Sequence, residues 1–167
     1  MEDEDGQLIP PTAFIPAAER YELMAAVDQH IIRETFRFIA DTNCSNICVS
    51  INLSASSLHD DKLAGFIKQC TKEYHVEGRM ICFDITETDA IANMARTRTL
   101  IEGLQSDGFA FALDDFGSKL TSFSYLNKLP VEYLKIDGSL VREMVDNRLD
   151  HAMVAAINQI GHIMGMK

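Results

Sequence analysis

Four short apolar runs punctuate the chain: residues 47–53 (ICVSINL), 79–85 (RMICFDI), 109–113 (FAFAL) and 131–136 (VEYLKI). Turn formers bound each of them. Runs of this length and character read as strands buried on both faces, which is the pattern of a parallel sheet. Between them, apolar residues recur at helical spacing. Residues 22–41 carry Val27, Ile31, Ile32, Phe36 and Ile39 on one broad face. Residues 60–74 carry Leu63, Phe66 and Ile67, and residues 89–107 carry Met94, Leu100, Ile101 and Leu104. Residues 150–164 present Met153, Val154, Ile157, Ile160 and Ile163. A short helix is predicted after Pro16, through Ala17, Ala18 and Glu19, and residues 138–146 read as helix or turn. His75 and Gly78 end the second long helix, and Gly108 stops the third. The chain alternates helix and strand, so the fold class is α/β, with parallel strands joined by helical crossovers.

In parallel α/β folds the chemistry sits at the ends of strands. Here those ends carry Asn52, Asp84, the pair Asp114–Asp115, and Lys135 with Asp137. Successive strand residues point to opposite faces, so Asp114 and Asp115 can share a site only if the strand has just ended. Two adjacent acids raise a pKa or recruit a cation. Taken alone, they read as a turn cap and a solvated neighbour, and Asn52 alone reads as a turn residue. Lys135 and Asp137 arrive at the same rim from a matching strand, and that shifts the balance towards a site. Asp84 interrupts an apolar run, where a carboxylate is costly unless it is paired or ligating. Oxygen ligands with one amine suit a divalent pair, Mg²⁺ or Mn²⁺.

Composition narrows the partners. Fifteen basic against 25 acidic residues leave a formal charge of −10. That disfavours duplex nucleic acid or an anionic membrane as the main partner, although bridging cations would still admit a phosphodiester. The cysteines Cys44, Cys48, Cys70 and Cys82 form no C-x-x-C pair. Cys82 is expected to be a buried thiol, and the surroundings to be a reducing cytoplasm. The five histidines are scattered and carry no assigned role. The length suits a single domain.

A series of segments now takes on a joint meaning: GQLIPPTAFIPAAE, INLSA, FDITET, ALDDFG and SYLNKLPVEYLKID, followed by the last helix. In this order, over residues 6–167, they make the chain resemble the EAL domain, the cyclic di-GMP phosphodiesterase of bacterial signalling. The resemblance implies a (β/α)₈ TIM-type barrel with two divalent metals at the C-terminal ends of its strands, cleaving cyclic di-GMP to linear pGpG. Matched by motif, Asn52, Asp84, Asp114 and Asp115 are metal ligands, Asp84 standing where the family has glutamate. Lys135 orients or polarises the attacking water, Asp137 supports it, and Glu87 anchors the loop after DDFG.

The resemblance also implies departures. The family's E-A-L strand is expected before Gly6 and its A-E-G-V-E strand after Lys167. In the loop after DDFG, Lys119 and Leu120 replace a glycine and a tyrosine. The chain is therefore expected to be a single EAL-domain fragment forming a partial barrel, with residues 1–6 unstructured and activity weak or absent in isolation. Its open edges predict a homodimer or strand-complementing oligomer. The parent protein is expected to carry a fused sensory or GGDEF domain. The alternatives to catalysis are a non-catalytic cyclic di-GMP receptor and a protein-interaction module.

Overall fold

A computed structural model describes residues 4–42, 46–118 and 123–167. The expectations for residues 1–3, for Cys44 and for the substitutions at Lys119 and Leu120 lie outside the described residues. Residues 4–6 form an exposed turn.

The chain opens with helices α1 (Pro11–Arg20) and α2 (Met24–Thr42), then strand β1 (Val49–Leu53) and the short α3 (Ala55–Leu58). Helix α4 (Leu63–Tyr74) leads to β2 (Ile81–Thr86), followed by α5 (Glu87–Ala92) and α6 (Met94–Gln105). Strand β3 (Ala110–Phe116) and β4 (Tyr133–Ile136) come next, then α7 (Gly138–Glu143) and α8 (Arg148–Ile163). Among the described residues, the four strands form one parallel sheet in the order β1-β2-β3-β4. Consecutive order without reversal is that of a barrel arc. A doubly wound sheet would reverse direction in mid-sheet.

One sheet face supplies the core. Ile51, Leu53, Ile81, Phe83, Ile85, Phe111 and Leu113 alternate along β1 to β3, and all are buried. They meet Ile32 and Phe36 of α2, Leu63 and Ile67 of α4, and Ile101 and Leu104 of α6. Phe36, Phe109, Phe83 and Phe111 form a run of ring contacts with centroids 5.6–6.4 Å apart. Aromatic contacts at such spacing add to the burial of area. Gly78 is needed for close approach between β2's entry and the α6–β3 turn: a Cβ there would lie 2.3 Å from the Asp107 carbonyl oxygen.

Several element boundaries differ from the sequence expectation, each for a local reason. The first helix begins at Pro11, since proline suits a first turn where no N–H partner is required. The predicted 89–107 helix breaks at Asn93, whose side chain accepts from Arg96 N–H at 3.4 Å and starts α6 afresh. Ile31 is exposed, because the buried stripe of α2 is Asp28, Ile32, Phe36 and Ile39. At the outer edge of β4, Lys167 donates to the Glu132 carbonyl and accepts from Leu134 N–H, both at 2.9 Å. These two bonds bracket Tyr133 in the pattern of a parallel bridge. Lys167 therefore continues the sheet beyond β4.

Candidate functional site

Opposite the helices, the other sheet face carries the polar side chains. In register, Asn52 of β1 lies beside Asp84 of β2, Asp84 beside Ala112 of β3, and Thr86 beside Asp114. Side chains in register on adjacent strands share a face. Asn52, Asp84 and Asp114 are therefore brought together at the C-terminal part of the arc.

Lys135 reaches this group from β4. Its ammonium donates to Asp84 Oδ2 and also contacts Ser50 Oγ at 3.4 Å. The pair spans β3, whose Ala112 lies beside Asp84 in register. Asp84 is only 4% exposed, whereas the Lys135 side chain is 40% exposed. A buried carboxylate needs a cation or several donors, and Lys135 supplies the cation. Partial desolvation pulls the Lys135 pKa down, but the hydrogen bond and charge of Asp84, with Asp114 behind it, leave it raised overall. Cys82 lies two residues before Asp84 on the same face, its sulfur 3.9 Å from Asp84 Oδ1. Burial first, then the Asp84 charge and Cys48, push its thiol up to about 12. The expected buried thiol is present and is not a nucleophile at neutral pH.

The acidic pair is arranged differently from the sequence expectation. Strand β3 does not stop before Asp114; it continues to Phe116 through a bulge between Leu113 and Phe116. Asp115 sits in the left-handed region, φ 54°, and its N–H donates to Asp114 Oδ1 at 2.9 Å. A bulge adds a residue and re-aims the neighbouring side chains. It is this bulge, rather than a strand end, that lets adjacent carboxylates leave the strict two-face alternation. Asp114 is half-buried and Asp115 exposed. Desolvation, then Asp114 and Asp137, raise the Asp115 pKa.

Asp137 caps α7. Its Oδ1 accepts from Ser139 N–H at 2.7 Å and from the Ser139 hydroxyl, and these bonds lower its pKa. Glu87, 3% exposed, accepts from Gly117 N–H at 3.2 Å and from the Tyr125 hydroxyl at 2.5 Å. It thereby bridges the two flanks of residues 118–124. Gly117 is left-handed, φ 87°, and a Cβ there would lie 2.7 Å from Ile157 Cδ1.

The donor set fits a hard divalent cation in kind: Asn52, Asp84 and Asp114 present oxygen atoms on one face. It is not drawn into a closed cluster. Among the described residues, no three of His, Cys, Asp and Glu converge closely enough to hold an ion. Asp115 is exposed beside Asp114, Asp137 caps its helix, and Lys135 neutralises Asp84.

Electrostatics give a direct test at the bulge. A carboxyl whose folded pKa is raised destabilises the fold when it ionises, so stability falls as pH rises through that folded pKa. Asn keeps the local side-chain polarity and tolerates left-handed backbone. Asp115→Asn is expected to raise the thermal midpoint at pH 7 without divalent ions, with the gain disappearing below pH 3. A thermal scan at the two pH values measures this, and an equal shift at both would contradict it.

The consecutive parallel arc, with polar groups at its C-terminal rim, defines the barrel class of α/β proteins. The EAL domain pattern matches residues 1–167, and the chain belongs to that family. Cyclic di-GMP phosphodiesterase PdeB of Shewanella oneidensis is 37% identical over 169 residues, covering 100% of this chain and 20% of that protein. Cyclic di-GMP phosphodiesterase PdeF of Escherichia coli is 31% identical over 168 residues, covering 99% and 22%. The chain thus spans about a fifth of the length of these curated relatives. Among solved structures, the PaMucR phosphodiesterase in complex with c-di-GMP superposes with a TM-score of 0.91 at 27% identity, covering 99% of this chain and 68% of that one. The FimX EAL domain of Pseudomonas aeruginosa, bound to c-di-GMP, gives 0.90 at 25%, covering 99% and 67%. Phosphodiesterases of this family depend on divalent metal ions as a class. Among the described residues, no helix is long and apolar enough to cross a membrane.

One buried acidic residue escaped the sequence reading. Asp28 of α2 is 3% exposed, and its Oδ2 accepts from Ser54 N–H at 2.8 Å and Ser57 Oγ at 2.7 Å. The signal was present in the chain: Asp28, Ile32 and Phe36 stand at i, i+4, i+8, which places a carboxylate in the apolar stripe.

Proposed function

We propose that this chain forms the metal-binding arc of an EAL-type phosphodiesterase, in which water adds across one P–O bond of cyclic di-GMP. The products are a phosphate monoester and a free hydroxyl, the ends of linear pGpG. The observation that carries this reading is the shared face of Asn52, Asp84 and Asp114, crossed by Lys135, in a chain of the EAL family.

Asn52, Asp84, Asp114 and Asp115 would hold the divalent pair, Mg²⁺ or Mn²⁺. The ions when bound supply Lewis acidity and make water a better nucleophile at neutral pH. Lys135 brings positive charge to a rim otherwise dominated by acids, in a chain whose net charge is −10. That charge steadies the attacking water and offsets negative charge growing on the phosphoryl oxygens. Asp137 fixes the start of α7 and so the end of the strand bearing Lys135. Glu87 holds the loop after the acidic pair.

The two edges of the arc are the surfaces for completing the barrel, within a longer polypeptide or between copies of the chain. A sensory or GGDEF domain in the same polypeptide fits the small share of each curated relative that this chain spans. A second reading, a nucleotide receptor without turnover, is favoured by the Lys135–Asp84 pair, in which the lysine occupies the carboxylate a metal would need. Incubation of a polypeptide that completes the barrel around this chain with cyclic di-GMP and Mn²⁺, then chromatography, separates the two. Metal-dependent pGpG formation supports catalysis, and metal-independent binding without product supports the receptor.

A further inference from the structure

We propose that Asp28 is a positioning residue for Asn52, acting through the backbone at the exit of β1. This rests on the reading of Asn52 as a ligand at the proposed site.

Strand β1 is the edge of the described sheet and is held on one side only, by β2. Its exit bears Asn52, then Leu53 and Ser54. The Ser54 N–H is the first amide beyond the strand, two residues past Asn52. It donates to Asp28 at 2.8 Å rather than to another strand. The Ser57 hydroxyl donates to the same carboxylate oxygen at 2.7 Å. Ser54 Oγ in turn accepts from Ser57 N–H at 3.3 Å, capping α3. Two serines of the Ser-rich turn and one buried carboxylate thus form a closed network. It ties α2 to the rim across 26 residues of sequence.

The carboxylate is an expensive way to make such a tie. Asp28 lies in the apolar stripe of its helix, and among the described residues no basic side chain pairs with it. Burying a charge without a counter-charge is tolerated when strong hydrogen bonds compensate it. A leucine at this position would fill the stripe without that cost but would leave the Ser54 amide unpaired.

The same construction recurs on the other side of the site. Glu87, equally buried, accepts from the Gly117 N–H two residues past Asp115, and from the Tyr125 hydroxyl. In both places a buried carboxylate takes the backbone N–H two residues beyond a candidate ligand, and a hydroxyl as well. The repetition points to a common task, which is to hold the backbone after each ligand in a fixed place. A displacement of about 1 Å in such a group can cost about 100-fold in function.

The test uses the full chain in three forms: wild type, Asp28→Ala and Asp28→Asn. Asparagine keeps a carbonyl oxygen able to accept both hydrogen bonds. One readout is the side-chain amide signal of Asn52 in a ¹H–¹⁵N spectrum, and the other is Mn²⁺ affinity. Asp28→Ala is expected to shift the Asn52 signal and weaken Mn²⁺ binding about tenfold, with Asp28→Asn restoring both to near wild type. Ser57→Ala, which keeps the buried acid, should shift the same signal in the same direction by less, and it replaces Asp28→Ala if that variant does not fold. A lower melting temperature with an unmoved Asn52 signal and unchanged Mn²⁺ affinity would overturn the proposal and leave Asp28 a purely structural residue. If wild type binds no Mn²⁺, the reading of the site fails. The Asn52 signal still decides whether Asp28 positions it.

Discussion

In a polypeptide that completes the barrel, Lys135→Met should lower pGpG formation by about 100- to 1,000-fold, the range seen when a single charge-stabilising donor is removed from an active site. The loss should fall on kcat, since the charge acts most strongly when negative charge grows on the phosphoryl group. Divalent-ion affinity should rise, because the lysine no longer occupies Asp84. A receptor without turnover predicts otherwise: no product from either form, and nucleotide affinity reduced by loss of the cation. Product analysis and Mn²⁺ titration of the two proteins distinguish these outcomes.

The same variant carries a pH signature. The Lys135 pKa is raised above its ordinary 10.5 in the folded chain. Stability from the pair is therefore fully present below 10.5 and is lost as pH rises through the folded value. The Lys135 side chain is 40% exposed, so solvent screens part of the interaction. Wild type should lose more stability than Lys135→Met as pH rises past 10.5 and through the folded value. Equal alkaline losses would mean that the pair in the structure contributes little in solution.

Why could this much be read from sequence, and why did it stop where it did? The strands were legible because turn-bounded apolar runs have few other uses, and residues 79–85 and 109–113 land in β2 and β3. The rim was legible because Asp84 is an acid in an apolar run, which demands a reason. The bulge at Asp114–Asp115 was not legible. It depends on a left-handed backbone at Asp115, which is neither glycine nor asparagine, and composition gives no sign of it. The Lys135–Asp84 pair spans 51 residues and two strand steps, and it depends on the order and register of β2, β3 and β4. Neither fact lies in any local pattern. Asp28 was passed over because a polar residue in an amphipathic helix is ordinarily assigned to the solvent face. Its i, i+4 relation to Ile32 was the contrary clue.

Glu87→Ala should be the more damaging change to the fold. The glutamate is buried, and it satisfies the Gly117 N–H and the hydroxyl of buried Tyr125. A hydrogen bond to a charged group contributes about 1.5–3 kcal/mol, so removing both is expected to cost about 3 kcal/mol. For a chain of this length that corresponds to a thermal midpoint lower by roughly 6–12 °C. The damage should spread in a definite direction. Gly117 packs beneath Ile157 and Leu140, so release of its amide loosens the contact of β3 with α7 and α8. Asp137 and Lys135 immediately precede α7 on that side, and turnover should fall by about 100-fold beyond the loss from unfolding. Glu87→Gln retains a carbonyl acceptor and should recover most of the stability. Hydrogen exchange supplies the decisive measurement: in Glu87→Ala, the Gly117 amide and the amides of α7 should exchange faster, while those of β1 and α4 stay protected. Uniform acceleration across the chain would instead mark a general loss of stability, with no special tie between Glu87 and the acidic rim.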